Sequence, residues 1–398
     1  MKTKLYIYFF IIIFFTNIKS SNEKNDFEWA IVGGGPAGLI TIGVLNDLGV
    51  DLSQIAWIDP FFNVGRLGEY YQNVPGNTSN KYFVRLIESC KLFKEVNTQS
   101  IQYLYTLPPE EFQELKVIVQ PLQDITDYVK PKVNSIVGTM DYLDFYDNKW
   151  HLGINQKIIS SKHVVLATGS KPKTLDYEIN DTIPLDYALD RNLLHQMVKP
   201  WDKIAVIGGS HSAVLIMKFL SETNVAKIVN FYKNPITYAV DMGSWILNNT
   251  YGLKGVAAIW AKEILEGPNP PKNIFRYYNN EENKRLYLKE CNKIVFAIGY
   301  EKNQLPNMTI NGNDIDITFN EETGVIGPRI FGIGIAFPGS YLDPVGNKEQ
   351  LVGLNSFMKY AQSVIPNWIK KDKNSRAIAE AQRKIFEQFE SLFEIYAL

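Results

Sequence analysis

Six residues, Gly33-Gly34-Gly35-Pro36-Ala37-Gly38, constrain this chain more than any others. They follow a short apolar run, Glu28-Trp29-Ala30-Ile31-Val32, and open a segment in which Leu39, Ile42, Leu45 and Leu48 recur at helical spacing up to Gly49. That order predicts strand, tight turn, helix. Ile55-Ala56-Trp57-Ile58-Asp59 reads as the next strand, so the unit is βαβ and closes on a carboxylate. Both strands are continuous hydrophobic runs, as a parallel sheet covered on two faces requires. Each glycine has a physical task. Gly33 permits the tight turn, Gly35 lets a pyrophosphate approach the backbone, and Gly38 lets helix and strand pack closely. The helix start at Pro36 and Ala37 offers free amides and partial positive charge to phosphate. Asp59 stands where a carboxylate accepts hydrogen bonds from ribose hydroxyls. The unit asks for a dinucleotide.

The same layout comes round again. After alternating stretches from Lys132 to Lys162 that predict a small antiparallel meander, His163-Val164-Val165-Leu166-Ala167-Thr168-Gly169 is a buried strand entering a turn. Lys203–Ile207 predicts a strand, Gly208-Gly209-Ser210 a turn and Ser212–Leu220 a helix, followed by a strand at Lys227–Tyr232. Lys293-Ile294-Val295-Phe296-Ala297-Ile298-Gly299 then repeats the ending at Ala167-Thr168-Gly169. From Gln350 to Tyr396 two helical patterns are expected, broken near Pro366 and Lys370–Lys373.

The length of 398 residues and 45% hydrophobic content suffice for more than one core. With 41 Lys plus Arg against 42 Asp plus Glu, no long-range field favours nucleic acid. Cys90 and Cys291 are the chain's two cysteines, far apart and outside any C-x-x-C, which leaves a disulfide framework and a vicinal redox dithiol unsupported. Four scattered histidines make no metal site, so redox chemistry must come from a cofactor. At the N-terminus, Lys2 and Lys4 precede a run from Leu5 to Phe15 that is entirely apolar or aromatic. Residues 1–21 therefore read as a secretory signal or short anchor, with an ER-lumenal, periplasmic or extracellular destination. The run is shorter than the ~20 residues of a membrane span, so no stable span is expected once the leader is cleaved.

Four motifs in order carry a family likeness: Val32-Gly33-Gly34-Gly35-Pro36-Ala37-Gly38, Leu166-Ala167-Thr168-Gly169-Ser170, Val206-Ile207-Gly208-Gly209-Ser210-His211-Ser212-Ala213 and Phe296-Ala297-Ile298-Gly299-Tyr300. From Asp26 to about Gly339 the chain resembles the flavoproteins with two dinucleotide-binding domains, the pyridine nucleotide-disulfide reductase and flavin-containing monooxygenase group. The resemblance implies an α/β fold of two Rossmann-like domains, the NAD(P)H domain inserted in the FAD domain. It places FAD on the first turn, NADPH or NADH on the second, and the domain crossings at Thr168-Gly169 and Gly299. The expected division is 26–175 for the first part of the FAD domain, 176–299 for the NAD(P)H domain, and 300–398 for the second part with C-terminal helices.

Around these turns the expectations become specific. The second turn reads Gly208-x-Ser210-x-x-Ala213, with small residues where glycines would be plainest, and His211 and Ser212 begin its helix. His211 either acts in catalysis or lines the nucleotide site and caps the turn. No acid ends the following strand, and Lys233 suits either a 2′-phosphate or water, which inclines the reading to NADPH. Gly65 to Ser79, with Arg66 and Asn77, is a flavin-site candidate, and Val74-x-x-Asn77-Thr78-Ser79-x-Lys81 is similar to a flavin-containing monooxygenase stretch whose Asn lies by the flavin, making Asn77 the catalytic candidate. The F-x-G-x-x-x-H linker of that branch is absent between Lys173 and Lys203. Cys90 and Cys291 are expected in cores. In the disulfide-reductase branch a late Gly-Asp pair holds the flavin's ribityl chain; here Phe331–Ala336 supplies glycine amides, with Asp343 as an alternative. The function expected is a monooxygenase-like FAD-dependent NAD(P)H oxidoreductase acting on a small molecule or electron acceptor. A reductase of a thiol, quinone or partner protein, and a non-catalytic flavin-binding scaffold, stand as alternatives.

Overall fold

The computed structural model describes residues 25–176, 181–315 and 317–370. The leader and the second expected C-terminal helix lie outside them. β1 (Asp26–Val32), α1 (Pro36–Asp47) and β2 (Ile55–Asp59) form the first βαβ unit, with β1 and β2 parallel and Val32 opposite Ile58. The short helix α2 (Gly65–Tyr70) follows, then a helical excursion, and β3 (Asn134–Val137) joins the far side of β2 in parallel. β4 (Met140–Tyr146), β5 (Lys149–Ile154) and β6 (Lys157–Leu166) make the antiparallel meander.

The meander and the buried strand at His163 are one continuous element. Early in β6, Trp150 of β5 faces Ser161, whereas at its end Val164–Leu166 pairs in parallel with Ile330–Gly332. All of β6 from Ser160 to Leu166 runs beside β1. A strand shared in this way brings residues 330–335 back to the glycine turn, where Ile333 N–H donates to Leu166 O at 3.1 Å.

A second sheet lies wholly between the two crossings. Its four parallel strands run in the order Ile274–Tyr278, β9 (Lys227–Tyr232), β8 (Lys203–Ile207), Lys293–Phe296. Helix His211–Ser221 covers one face, burying Val214, Leu215, Met217 and Phe219. The crossings themselves pair: β7 (Ser170–Pro172) is antiparallel to Tyr300–Lys302, with Tyr300 opposite Pro172. The architecture is thus α/β with two Rossmann-like sheets, the second inserted in the first.

One expected break does not occur. The helix over 354–370 runs through Pro366. Interior proline costs about 3 kcal/mol, and burial of Tyr360, Ala361, Val364, Ile365 and Trp368 against the first core outweighs it. Among the described residues no helix is long and apolar enough to cross a membrane.

Candidate functional site

The two turns repeat each other at the backbone. Gly33 N–H donates to Ile58 O and Gly208 N–H to Phe231 O, both at 2.8 Å. Gly33 has φ +123° and Gly208 φ +136°, and a Cβ at either would stand 2.2 Å from a carbonyl oxygen, that of Ala167 or of Ala297. A left-handed conformation and a backbone contact together exclude a side chain. Gly38 serves packing, since its Cβ would fall 2.0 Å from Gly33 O. Helices α1 and His211–Ser221 both begin without a side-chain cap and without an acid in the first turn. Their free amides face outward, as an anion site requires.

Beside the first turn lies a cavity of about 620 Å³, within the range of roughly 300–1,000 Å³ that holds cofactors and small ligands. Gly33, Gly35, Pro36, Ala37 and Asp59 line it, and so do Arg66, Asn77, Thr168 and Gly169. Gly38 and Gly299 are not in its wall; Tyr300 holds the place expected of Gly299, because the crossing turns at Gly299, with φ +89°, and presents the next residue. Gly334 and Ile335 close the wall over α1, with Gly334 so near that its Cβ would stand 2.6 Å from Ala37 Cβ. Asp343 belongs elsewhere: its carboxylate accepts from Val345 N–H and Asn347 N–H in a hairpin turn.

Asp59 does more than face the cavity. Its carboxylate accepts from Gly34 N–H at 2.6 Å, Phe61 N–H at 2.9 Å and Phe62 N–H at 2.7 Å, which fixes the glycine turn against the loop after β2. Arg66 lines the cavity, but Nε and Nη2 of its guanidinium go to Asp186. Tyr71 and Tyr300 complete that cluster. Thr168 Oγ1 is buried in the wall without a hydrogen-bond partner. An orphaned hydroxyl, uncapped helix amides and a glycine cradle fit a polyhydroxylated diphosphate such as FAD.

At the second turn, Gly208, Ser210, His211, Ser212 and Ala213 lie apart from this cavity. Asn230 Nδ2 donates to Val206 O and Gly208 O, clamping the turn from β9. Lys233 is exposed just beyond β9. His211 Nδ1 is buried without a partner, and burial, aided by the charge of Lys254, pulls its pKa down to about 4. Burial also lowers the pKa of Lys254, against the pull of Glu349. Glu349 is fully buried and accepts from Thr250 N–H at 2.7 Å. Lys254 leads into Gly255, whose Cβ would stand 3.3 Å from Asn77 Cα, so the second unit rests on the Asn77 loop. Tyr71 falls within the Gly65–Ser79 candidate stretch, whereas Asp186 and Glu349 escaped the sequence reading because their partners are far away in the chain.

Both thiols are shut in apolar clusters: Cys90 in the core around β1 and α1, with burial raising its pKa to about 12, and Cys291 with Ala205, Ile207 and Phe296 on a face of the second sheet, with its pKa raised to about 11. Neither lines the cavity.

The model of the pyridine nucleotide-disulphide oxidoreductases matches residues 27–335. The chain belongs to this family. It is an FAD-dependent NAD(P)H oxidoreductase. Monooxygenase AgnR1 of Paecilomyces divaricatus is 29% identical over 381 residues, 85% of this chain and 97% of that protein. The fold is similar to that of the bacillithiol disulfide reductase Bdr of Staphylococcus aureus, with a TM-score of 0.56 at 15% identity over 87% of this chain and 99% of that one. Thioredoxin reductase of Lactococcus lactis gives a TM-score of 0.51 at 12% identity over 86% and 98%. The family name carries a disulfide that this chain has no paired thiols to handle.

Proposed function

We propose that this flavoprotein is an NADPH-dependent monooxygenase acting on a small organic molecule. The observation that carries the reading is the cavity wall itself, which holds Asn77 and the apolar side chains Phe83, Leu115, Leu354 and Phe357 but no thiol. The monooxygenase relative, similar along nearly its full length, supports it.

The residues divide the work. Gly33, Gly35 and the amides of α1 hold the diphosphate of FAD, and Asp59 keeps the turn in shape while facing the ribose. Thr168 Oγ1 offers a hydrogen bond to the flavin side of the cavity. Gly208 and the start of helix His211–Ser221 hold the nicotinamide nucleotide, with Lys233 for a 2′-phosphate. When bound, the flavin would supply the redox chemistry between NADPH and oxygen or another acceptor. Asn77, whose backbone lies against Gly255 of the second unit, would orient what lies over the flavin, and the apolar wall would limit water there. We further propose that residues 1–21 direct the enzyme into the secretory pathway, as a cleaved signal or a short anchor, which N-terminal sequencing of the purified protein checks.

Turnover under labelled oxygen tests the reading. Purified enzyme with NADPH and a panel of amines, sulfides and ketones is expected to place one labelled oxygen atom in product for each NADPH oxidised. Stoichiometric reduction of a quinone or disulfide, with all consumed oxygen released as peroxide, would assign the enzyme to the reductases instead.

A further inference from the structure

The cluster at Asp186 runs along the wall of the cavity and joins the two units. Asp186 sits on the short helix Leu185–Ala188, whose apolar side chains belong to the second core, and its side chain is buried. Arg66 grips the carboxylate from α2 through Nε and Nη2. Tyr71, just past α2, stands 2.6 Å from Asp186 Oδ1, and Tyr300, at the return crossing, stands 3.0 Å from Tyr71 Oη.

Hydrogen counting gives this chain of groups a direction. An arginine-held carboxylate accepts and does not donate, and a phenol has one hydrogen. The Tyr71 hydrogen therefore points to Asp186. Tyr71 Oη is left to accept, so the Tyr300 hydrogen points to Tyr71. Tyr300 Oη keeps its remaining lone pair and no hydrogen. Burial raises the pKa of both phenols, so neither sheds its proton in the working range. Tyr71 and Tyr300 both line the cavity. Tyr300 is also three residues beyond Ala297, whose carbonyl meets the second glycine turn. It thus lies on the stretch of chain that joins the second glycine turn to the cavity.

We propose that Tyr300 is a binding residue that accepts a hydrogen bond from an amide-type N–H of a bound cofactor, and that Asp186 fixes its polarity through Tyr71. The N–H belongs either to the flavin ring or to the nicotinamide carboxamide; the chemistry is the same. The inference is independent of where the electrons go afterwards, so it stands or falls separately from the monooxygenase reading.

Binding constants test it without turnover. Full-length protein is titrated with FAD and with 3-methyl-FAD, which lacks the ring N–H, following flavin fluorescence. The flavin-loaded protein is titrated with NADP+ and with its 3-acetylpyridine analogue, oxidised nucleotides that cannot reduce the flavin, the second of which lacks the carboxamide N–H. Tyr300→Phe is expected to weaken one natural cofactor about 3- to 10-fold, the worth of one neutral hydrogen bond, and to leave its N–H-free analogue unchanged. The affected pair names the source of the donor. Tyr71→Phe frees the Tyr300 hydrogen to turn into the cavity and is expected to weaken the same cofactor at least as much, though it leaves Tyr300 in place. Equal weakening of a cofactor and its analogue would reduce Tyr300 to packing, and unchanged binding of all four compounds by both variants would end the proposal.

Discussion

At the first turn, residues 330–335 return beside β6, Gly334 packs on Ala37, and Asp59 ties Gly34 to the following loop. At the second, Asn230 clamps the turn from behind, Lys233 stands exposed beyond β9, and the helix opens on a half-buried histidine whose Nδ1 is buried. The backbone geometry is nearly identical, yet the rims differ in enclosure and in charge. A site walled by separate stretches of chain releases its ligand only if several contacts part together, which suits a resident flavin. A site with an open cationic rim suits a nucleotide that comes and goes.

The sharpest way to break that comparison is to place the same methyl group at both turns. Gly33→Ala and Gly208→Ala each force a non-glycine residue to positive φ and drive Cβ to 2.2 Å from a carbonyl oxygen. Backbone displacement of this kind costs about 2–4 kcal/mol. Gly33→Ala is expected to yield protein without visible flavin absorbance. Gly208→Ala is expected to keep its flavin and lose reduction by NADPH at concentrations that reduce the wild type. If both variants lose flavin alike, the turns are one cooperative unit and the distinction between resident and visitor fails.

A second difference concerns protons. Helix α1 begins with Pro36 and Ala37, which do not titrate, whereas His211 opens the other helix with its pKa held near 4. The unfolded chain takes up this proton at about pH 6.5, before the native state does, so acid favours unfolding. Stability from this site is complete above about pH 6.5 and is lost as pH falls towards 4, by about 3 kcal/mol at most. His211→Gln should flatten the dependence of the urea midpoint on pH in that window. An unchanged slope would mean that Lys254 and burial do not hold His211 neutral.

The sequence announced both βαβ units because continuous apolar runs flanking glycine have few other uses. It did not announce that the meander and the strand at His163 are one element, since alternation passes into continuous burial inside β6 without a turn residue between them. Arg66 was legible as a cavity residue, but its partner Asp186 lies 120 residues on, where no spacing rule reaches. Tyr300 was visible only as the end of the motif that starts at Phe296. Pro366 misled because proline marks helix ends by local cost, and here the core on both sides of it decides.

Charge at the second rim gives the smallest expected effect. Strand β9 ends at Tyr232, and the Cβ of a residue at Gly209 would stand 2.9 Å from Tyr232 Cβ, so Lys233 follows directly beside the turn. Asn230 occupies the inward position on β9 with both its donor hydrogens spent on carbonyls. No carboxylate there competes for a ribose hydroxyl or repels a 2′-phosphate. Arg276, stacked 4.7 Å over the Tyr232 ring and bonded to Asn230 Oδ1, is the second cation at this rim. Lys233→Ala is expected to raise the KM for NADPH about 5- to 10-fold through loss of a charge-assisted contact, with the KM for NADH unmoved. Because Arg276 is already committed to Tyr232 and Asn230, Arg276→Ala should disturb both nucleotides alike through the turn. Selective loss of NADPH in the arginine variant, and none in the lysine variant, would move the 2′-phosphate from β9 to its neighbour.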